Sequence, residues 1–324
     1  MSHPLAAEGV VELAVMSRSG LDESRHLGAA AVVAPDGEVI RALGDVDAIV
    51  YGRSSLKPFQ AISVLRSGVE LDGAQLVLAS ASHAGTPEHV DVVRSTLARA
   101  GLDSEALLCP VDWPTDGAAR RAATAPHRVT MNCSGKHAAF LLACVENGWP
   151  TGSYLDPSHP LQQRIRSTIE EFSGEPIGHV GVDGCGAPVF AITLRGLATA
   201  VGRIERDSDG AHLFAAIRAN AWALDGPGRA NTVVIEQLGV IEELGVVAKG
   251  GAEGVMVMAT ADGTAVALKM LDGSSRATTL VALQLLASVG AISRSDADRV
   301  SALTTERALG GGVPVGQIRA SFDR

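Results

Sequence analysis

The chain has 324 residues, of which 46% are hydrophobic, 19% charged and 3% aromatic. That composition can bury a large core of Ala, Val, Leu and Ile, and it is too apolar for a disordered protein. The net charge of −9 argues against binding to nucleic-acid phosphates, which needs a basic surface.

No apolar run approaches the ~20 residues needed to cross a bilayer. The start, MSHPLAAEGVVELAV, carries Glu8 and Glu12 and lacks the basic region of a signal peptide. The expectation is a cytoplasmic protein with no membrane and no nucleic-acid partner. Four cysteines in this length are not a disulfide framework. Cys109 and Cys144 sit in apolar runs and read as small buried hydrophobes, whereas Cys133 and Cys185 sit in polar, glycine-rich segments.

In chain order, VVELAV and GAAAVV read as strands, and Pro35-Asp36-Gly37 turns the chain into EVIRAL. A helix is expected to open near Ser54 to Lys57, because Pro58 is tolerated only in a first turn. Thr86-Pro87-Glu88 has the form of an N-cap, a helix-initiating proline and a first-turn acid, predicting a helix to about Ala100. AAFLLACVENG predicts another. Leu161, Ile165, Ile169 and Phe172 recur at helical spacing before Gly174, and Phe214, Ile217, Ala221 and Leu224 form a second stripe. GVMVMA, a turn at Asp262-Gly263 and AVALKML form a second hairpin. A helix over 275–289 follows, with Gly290 placed to end it.

This pattern predicts an α/β (α+β) fold in which both chain ends build one antiparallel sheet. Residues 1–50 and 230–324 would form the sheet lobe and residues 51–229 a mostly helical lobe, with a site between them.

Only four of the 27 basic residues are lysine: Lys57, Lys136, Lys249 and Lys269. Arginine stays protonated, whereas a buried lysine can lose its proton and act as a base. Ser54 and Lys57 would share one helix face, so Lys57 could take the hydroxyl proton and Ser54 attack a carbonyl. A capping serine with a surface lysine explains the same pair. Lys249-Gly250-Gly251 lies on an expected strand, and SxxK followed by a lysine-x-glycine strand is the order used by penicillin-recognising serine hydrolases. Gly251 would let substrate approach the strand backbone, although an edge-strand lysine also serves to discourage aggregation. Ser82-His83 lies in a loop before a capped helix, where turn chemistry alone accounts for it. Cys133 and Cys185 offer thiolates for zinc, but a separation of 52 residues is no metal signature. Cys133 beside His137 also allows a cysteine-nucleophile amidase.

Six segments in order, ESRHLGAAAVV, RSSLKPFQA, ASASHAGTPEH, MNCSGKHAAFLLA, VDGCGAPVFA and KGGAEGVMV, resemble the asparaginase II family, the L-asparaginases of the Rhizobium etli type. The resemblance implies a fold similar to serine β-lactamases and glutaminases, a homodimer, and hydrolysis of L-asparagine to L-aspartate and ammonia. It implies two serine–lysine pairs, Ser54 with Lys57 and Ser82 with Lys249, and a zinc ion held by Cys133, Lys136 and Cys185. Arg53, His137 and Asp183 would lie near the substrate, with Arg53 toward the α-carboxylate and Asp183 toward the α-ammonium. One departure is Gly250, where a lysine-threonine-glycine sequence would carry a hydroxyl. Lys269 reads as structural. A glutaminase, a β-lactam hydrolase and a non-catalytic zinc-holding protein are the rival readings.

Overall fold

A computed structural model describes residues 3–322 of the chain. Its eleven strands among those residues are β1 (Val11–Arg18), β2 (Leu21–Val33), β3 (Val39–Leu43), β4 (Ile49–Tyr51), β5 (His179–Val182), β6 (Pro188–Thr193), β7 (Val247–Gly251), β8 (Val255–Ala259), β9 (Ala265–Met270), β10 (Arg307–Gly310) and β11 (Val313–Ala320). The large sheet runs β10-β11-β1-β2-β9-β8-β7, with β3 also on β2, and its pairings are antiparallel. Its strands come from both ends of the chain. The α+β architecture with an antiparallel sheet is thus present.

The run GAAAVV is continuous because β2 is buried on both faces. Ala29, Ala31 and Val33 face helix Leu194–Gly202. Ala30 and Val32 join the cluster beneath helices Thr278–Ser288 and Arg294–Thr304. Alternation at period two sends neighbouring residues to opposite layers. Gly28 sits where β2 passes from β1 to β9, and a Cβ there would lie 2.3 Å from the Lys269 carbonyl oxygen. A side chain at 28 would push β2 and β9 apart.

Between the sheet segments the chain is mostly helical, with a small sheet ordered β4-β6-β5. Helices Lys57–Leu65 and Ser134–Glu146 run through the interior. Lys57 to Val64 and Ser134 to Cys144 are buried without interruption. Polar side chains on these helices therefore face protein, which is the setting a neutral lysine requires.

The structure departs from the sequence expectations in three places. The stripe from Phe214 to Leu224 is two helices, Ser208–Ala219 and Ala221–Leu224. Asn220 leaves helical geometry there (φ −136°, ψ 48°), and its side-chain amide donates to the Ala216 carbonyl. Ser54 lies not on an α-helix but on a 3₁₀ turn, Arg53–Leu56, that leads into helix Lys57–Leu65. The hairpin β10–β11, turning at Gly311 and Gly312, and the small sheet were not anticipated. Among the described residues, no helix is long and apolar enough to cross a membrane.

Candidate active site

The loop after helix Gly73–Ala79 carries Ser82. Its position is fixed by backbone bonds: Ser82 N–H donates to Leu224 O (2.9 Å) and His83 N–H to Asn132 O (3.1 Å). His83 Nδ1 accepts Gly85 N–H at 3.1 Å, so its Nε2 donates to Ser134 Oγ at 2.9 Å. Burial, with the nearby His89 and Lys57, holds His83 well below its ordinary pKa, so it stays neutral.

Two lysines converge on Ser82. Lys57 Nζ donates to Ala81 O (2.6 Å) and lies 3.0 Å from Ser82 Oγ. Lys249 Nζ reaches the same Oγ at 2.8 Å and Gly250 O at 3.0 Å. Both lysines are buried, with 1% and 2% exposure. Burial first, then the Lys57 charge, lowers Lys249 to about 7. One hydroxyl cannot comfortably hold two ammonium groups, so the favoured arrangement has Lys249 neutral. Its lone pair then accepts the Ser82 proton while Lys57 donates to the oxygen.

Ser54 Oγ makes no hydrogen bond among the described residues; Lys57, its expected partner, is bonded to Ser82 and Ala81 instead. The turn carrying Ser54 nonetheless abuts β7. A Cβ on Gly251 would fall 2.8 Å from Gly52 O and 3.4 Å from Arg53 Cβ. Gly251 is required for that close approach. Gly250 differs, since an added Cβ would meet only ordinary contacts at 3.5 Å, with Asn231 Oδ1 and Met256 Cε.

Arg53 has a left-handed backbone (φ 52°), an uncommon and costly conformation for a residue with a side chain. It carries the guanidinium to Asp183, with Nε 2.8 Å from Oδ1, and both side chains are partly buried. The two charges that would face a zwitterionic amino acid are thus neighbours.

Next to this lies the sulfur cluster. Cys133 Sγ donates to Asn132 Oδ1 at 3.2 Å, and the Cys133 side chain, then the Lys136 charge, hold Cys185 far below the ordinary thiol range against the effect of burial. Its closeness to Cys185, together with burial, pushes Cys133 up. Lys136 Nζ donates to Cys185 Sγ at 3.1 Å. Burial opposes the Lys136 charge, but the Cys185 and Cys133 sulfurs outweigh it and raise its pKa. His137 is kept neutral mainly by burial. Its Nδ1 is 2.7 Å from the Tyr154 hydroxyl, and its buried Nε2 has no hydrogen-bond partner.

Among the described residues, no three His, Cys, Asp or Glu side chains are grouped to hold a metal. Cys133, Cys185 and Lys136 nevertheless offer two sulfurs and an amine in mutual contact, beside an orphaned imidazole nitrogen. That donor set suits zinc once the Cys133 thiol and the Lys136 ammonium have lost their protons. Lys269 is separate. Its Nζ bonds the Glu253 and Met270 carbonyls and ties down the β7–β8 turn. A cavity of about 500 Å³ beside helix Arg294–Thr304 and β11 contains none of these residues.

The family model for L-asparaginase II matches residues 14–320. The chain belongs to the L-asparaginase II family. Among curated proteins, no significant match is found. Similar solved structures include Mglu in its native form, 12% identical with a TM-score of 0.45, over 81% of this chain and 63% of that one. A beta-lactamase from Mycobacterium bovis is 18% identical with a TM-score of 0.38, over 85% and 94%. An octameric penicillin-binding protein homologue from Pyrococcus abyssi is 14% identical with a TM-score of 0.38, over 81% and 73%. The family member matches less than two thirds of Mglu's length, and likeness this weak is only likeness.

Two buried residues beside Lys249 escaped the sequence reading. Asn231 Oδ1 accepts Gly250 N–H at 3.0 Å, and Asn231 Nδ2 donates to Asp225 Oδ2 at 3.0 Å. The signal available was the turn-rich DGPGRAN, which reads as punctuation.

Proposed function

We propose that the protein hydrolyses L-asparagine to L-aspartate and ammonia through a serine acyl-enzyme. The observation that carries this reading is the meeting of Lys57 and Lys249 on Ser82 Oγ, against the turn that bears Ser54. Arg53 takes the substrate's α-carboxylate and Asp183 its α-ammonium, each exchanging its present partner for a ligand charge. His137 lines the pocket.

Lys57 passes its ammonium proton through Ser82 Oγ to the neutral Lys249 and then accepts the Ser54 proton, and Ser54 Oγ bonds to the side-chain carbonyl carbon. The carbonyl electron pair moves onto oxygen, where backbone N–H groups hold the oxyanion. The C–N bond then breaks, and the departing nitrogen takes a proton relayed through Ser82 and Lys249. Water attacks the resulting β-aspartyl ester and restores the Ser54 hydroxyl. Cys133, Cys185 and Lys136 would hold zinc, which when bound supplies a fixed positive charge beside the pocket. A homodimer is part of the same reading and is checked by sedimentation.

A second assignment has Ser82 as the nucleophile. It is favoured because both lysines bond Ser82 Oγ, whereas Ser54 Oγ has no partner. Ser54→Ala and Ser82→Ala separate the two: acid-quenched mass spectrometry should show the acyl adduct in only the variant that keeps the nucleophile. Ammonia release from asparagine, glutamine and other amides, with nitrocefin alongside, tests the substrate. Faster release from glutamine, or nitrocefin cleavage without ammonia release, would overturn asparagine.

A further inference from the structure

β7 ends the large sheet and is paired on one side only, with β8. An unpaired, buried N–H on such an edge needs an acceptor. At residue 250 both backbone groups are committed: the N–H to Asn231 Oδ1 (3.0 Å) and the C=O to Lys249 Nζ (3.0 Å). The lysine that reaches Ser82 thus leans on the same peptide that Asn231 holds.

Asn231 is itself fixed. Its Nδ2 donates to Asp225 Oδ2, and Arg229 Nη1 is 3.3 Å from the other Asp225 oxygen. These partners determine the orientation of the amide, since Gly250 N–H requires an oxygen and the carboxylate requires a donor. Asp225 and Asn231 are 8% and 7% exposed. The Asn231 amide lies beside residue 250, where an added Cβ would meet it at ordinary contact distance, 3.5 Å from Oδ1 and 3.7 Å from Nδ2.

The same short segment grips the other partner. Leu224 O accepts the Ser82 N–H at 2.9 Å. Within eight residues, 224–231, the chain therefore holds the backbone of Ser82 at one end and that of β7 at the other. Gly226 N–H to Thr232 Oγ1 and Thr232 Oγ1 to Ala221 O close the segment on itself. Neither Asn231 nor Asp225 bonds Arg53, Asp183 or Ser54.

We propose that Asn231, oriented by Asp225, is a positioning residue that sets Lys249 against Ser82. The proposal rests on the reading that the Ser82–Lys249 pair belongs to the catalytic machinery. Losing the Gly250 tether frees the β7 edge and lets Lys249 Nζ drift from a 2.8 Å contact. A misplacement of about 1 Å costs on the order of 10²-fold in rate. Substrate charges are met elsewhere, so binding should be spared.

The test compares Asn231→Ala and the isosteric Asn231→Asp with the parent protein. Each is checked for folding by circular dichroism and assayed for ammonia release from L-asparagine and for serine labelling by a fluorophosphonate probe. The expected result is a tenfold to hundredfold fall in kcat with KM within about threefold, and slower labelling. In Asn231→Asp the donor to Asp225 is lost and the two carboxylates repel, which turns residue 231 away from Gly250 although its oxygen can accept that N–H; this variant decides the question if Asn231→Ala does not fold. Unchanged kcat in a folded variant, or a raised KM with kcat intact, overturns the proposal. If the parent releases no ammonia from any amide, the substrate reading falls. Slower labelling in the variants then still supports the positioning role, and undiminished labelling overturns it.

Discussion

At the residue scale, the scarcity of lysine points to the site, because a base must be able to shed a proton that arginine keeps. Lys249, lowered to about 7, is protonated below that value and cannot then accept from Ser82. If a neutral Lys249 is needed, kcat/KM should rise with unit slope as pH increases through about 7 and then level. Lys249→Arg should lose at least 10²-fold at every pH, since arginine stays charged. A pH profile of the folded variant checks this, and a flat parent profile between pH 5 and 8 would exclude Lys249 as the titrating base. The contact of Lys249 with Ser82 was implied by the family resemblance, but that of Lys57 with Ser82 was not. Ser54 and Lys57 are three apart and invite pairing, yet Lys57 Nζ reaches across to the Ser82 loop. That choice depends on how two segments dock, which local spacing does not encode. Asn231 was less visible still, since a lone amide after a glycine-rich turn has no pattern.

At the element scale, the decisive contact is β7 against the 3₁₀ turn Arg53–Leu56. Two adjacent glycines make opposite predictions. At Gly251 a Cβ would sit 2.8 Å from Gly52 O, so Gly251→Ala must move the strand or the turn and should lower kcat/KM at least tenfold. At Gly250 the nearest atoms are 3.5 Å away, so Gly250→Ala should remain within about threefold of the parent. Steady-state kinetics of the pair checks the contact: equal losses would mean the strand and turn are not packed this way. The strong helical signals, the Thr86 cap and the stripe from Leu161 to Phe172, correspond to helices Pro87–Arg99 and Pro160–Ser173. The 3₁₀ turn and the Asn220 break were not legible, because each is a local departure imposed by packing on an otherwise helical pattern.

At the scale of the whole molecule, the joining of both chain ends in one sheet was readable from two hairpins flanking a helical middle. The β10–β11 hairpin was not, since its strands carry the exposed Leu309 and Val313 and lack clean alternation. This topology has a thermodynamic consequence. Cys133 and Lys136 lie on the interior helix and its cap, whereas Cys185 lies in the loop between β5 and β6. A zinc ion bound by all three would join segments that separate on unfolding, so its binding energy adds to global stability. At free zinc about 100-fold above the dissociation constant, that is about 2.7 kcal/mol. The protein should then unfold in one transition raised by several degrees, and Cys185→Ser should abolish the increment. Binding must displace the protons on Cys133 and Lys136, so the increment should grow as pH rises from 6 to 8. Calorimetry with and without a chelator measures it. A melting temperature indifferent to zinc in the parent would leave the two sulfurs and the amine as a hydrogen-bonded cluster, with Lys136 as the cation that balances the Cys185 thiolate.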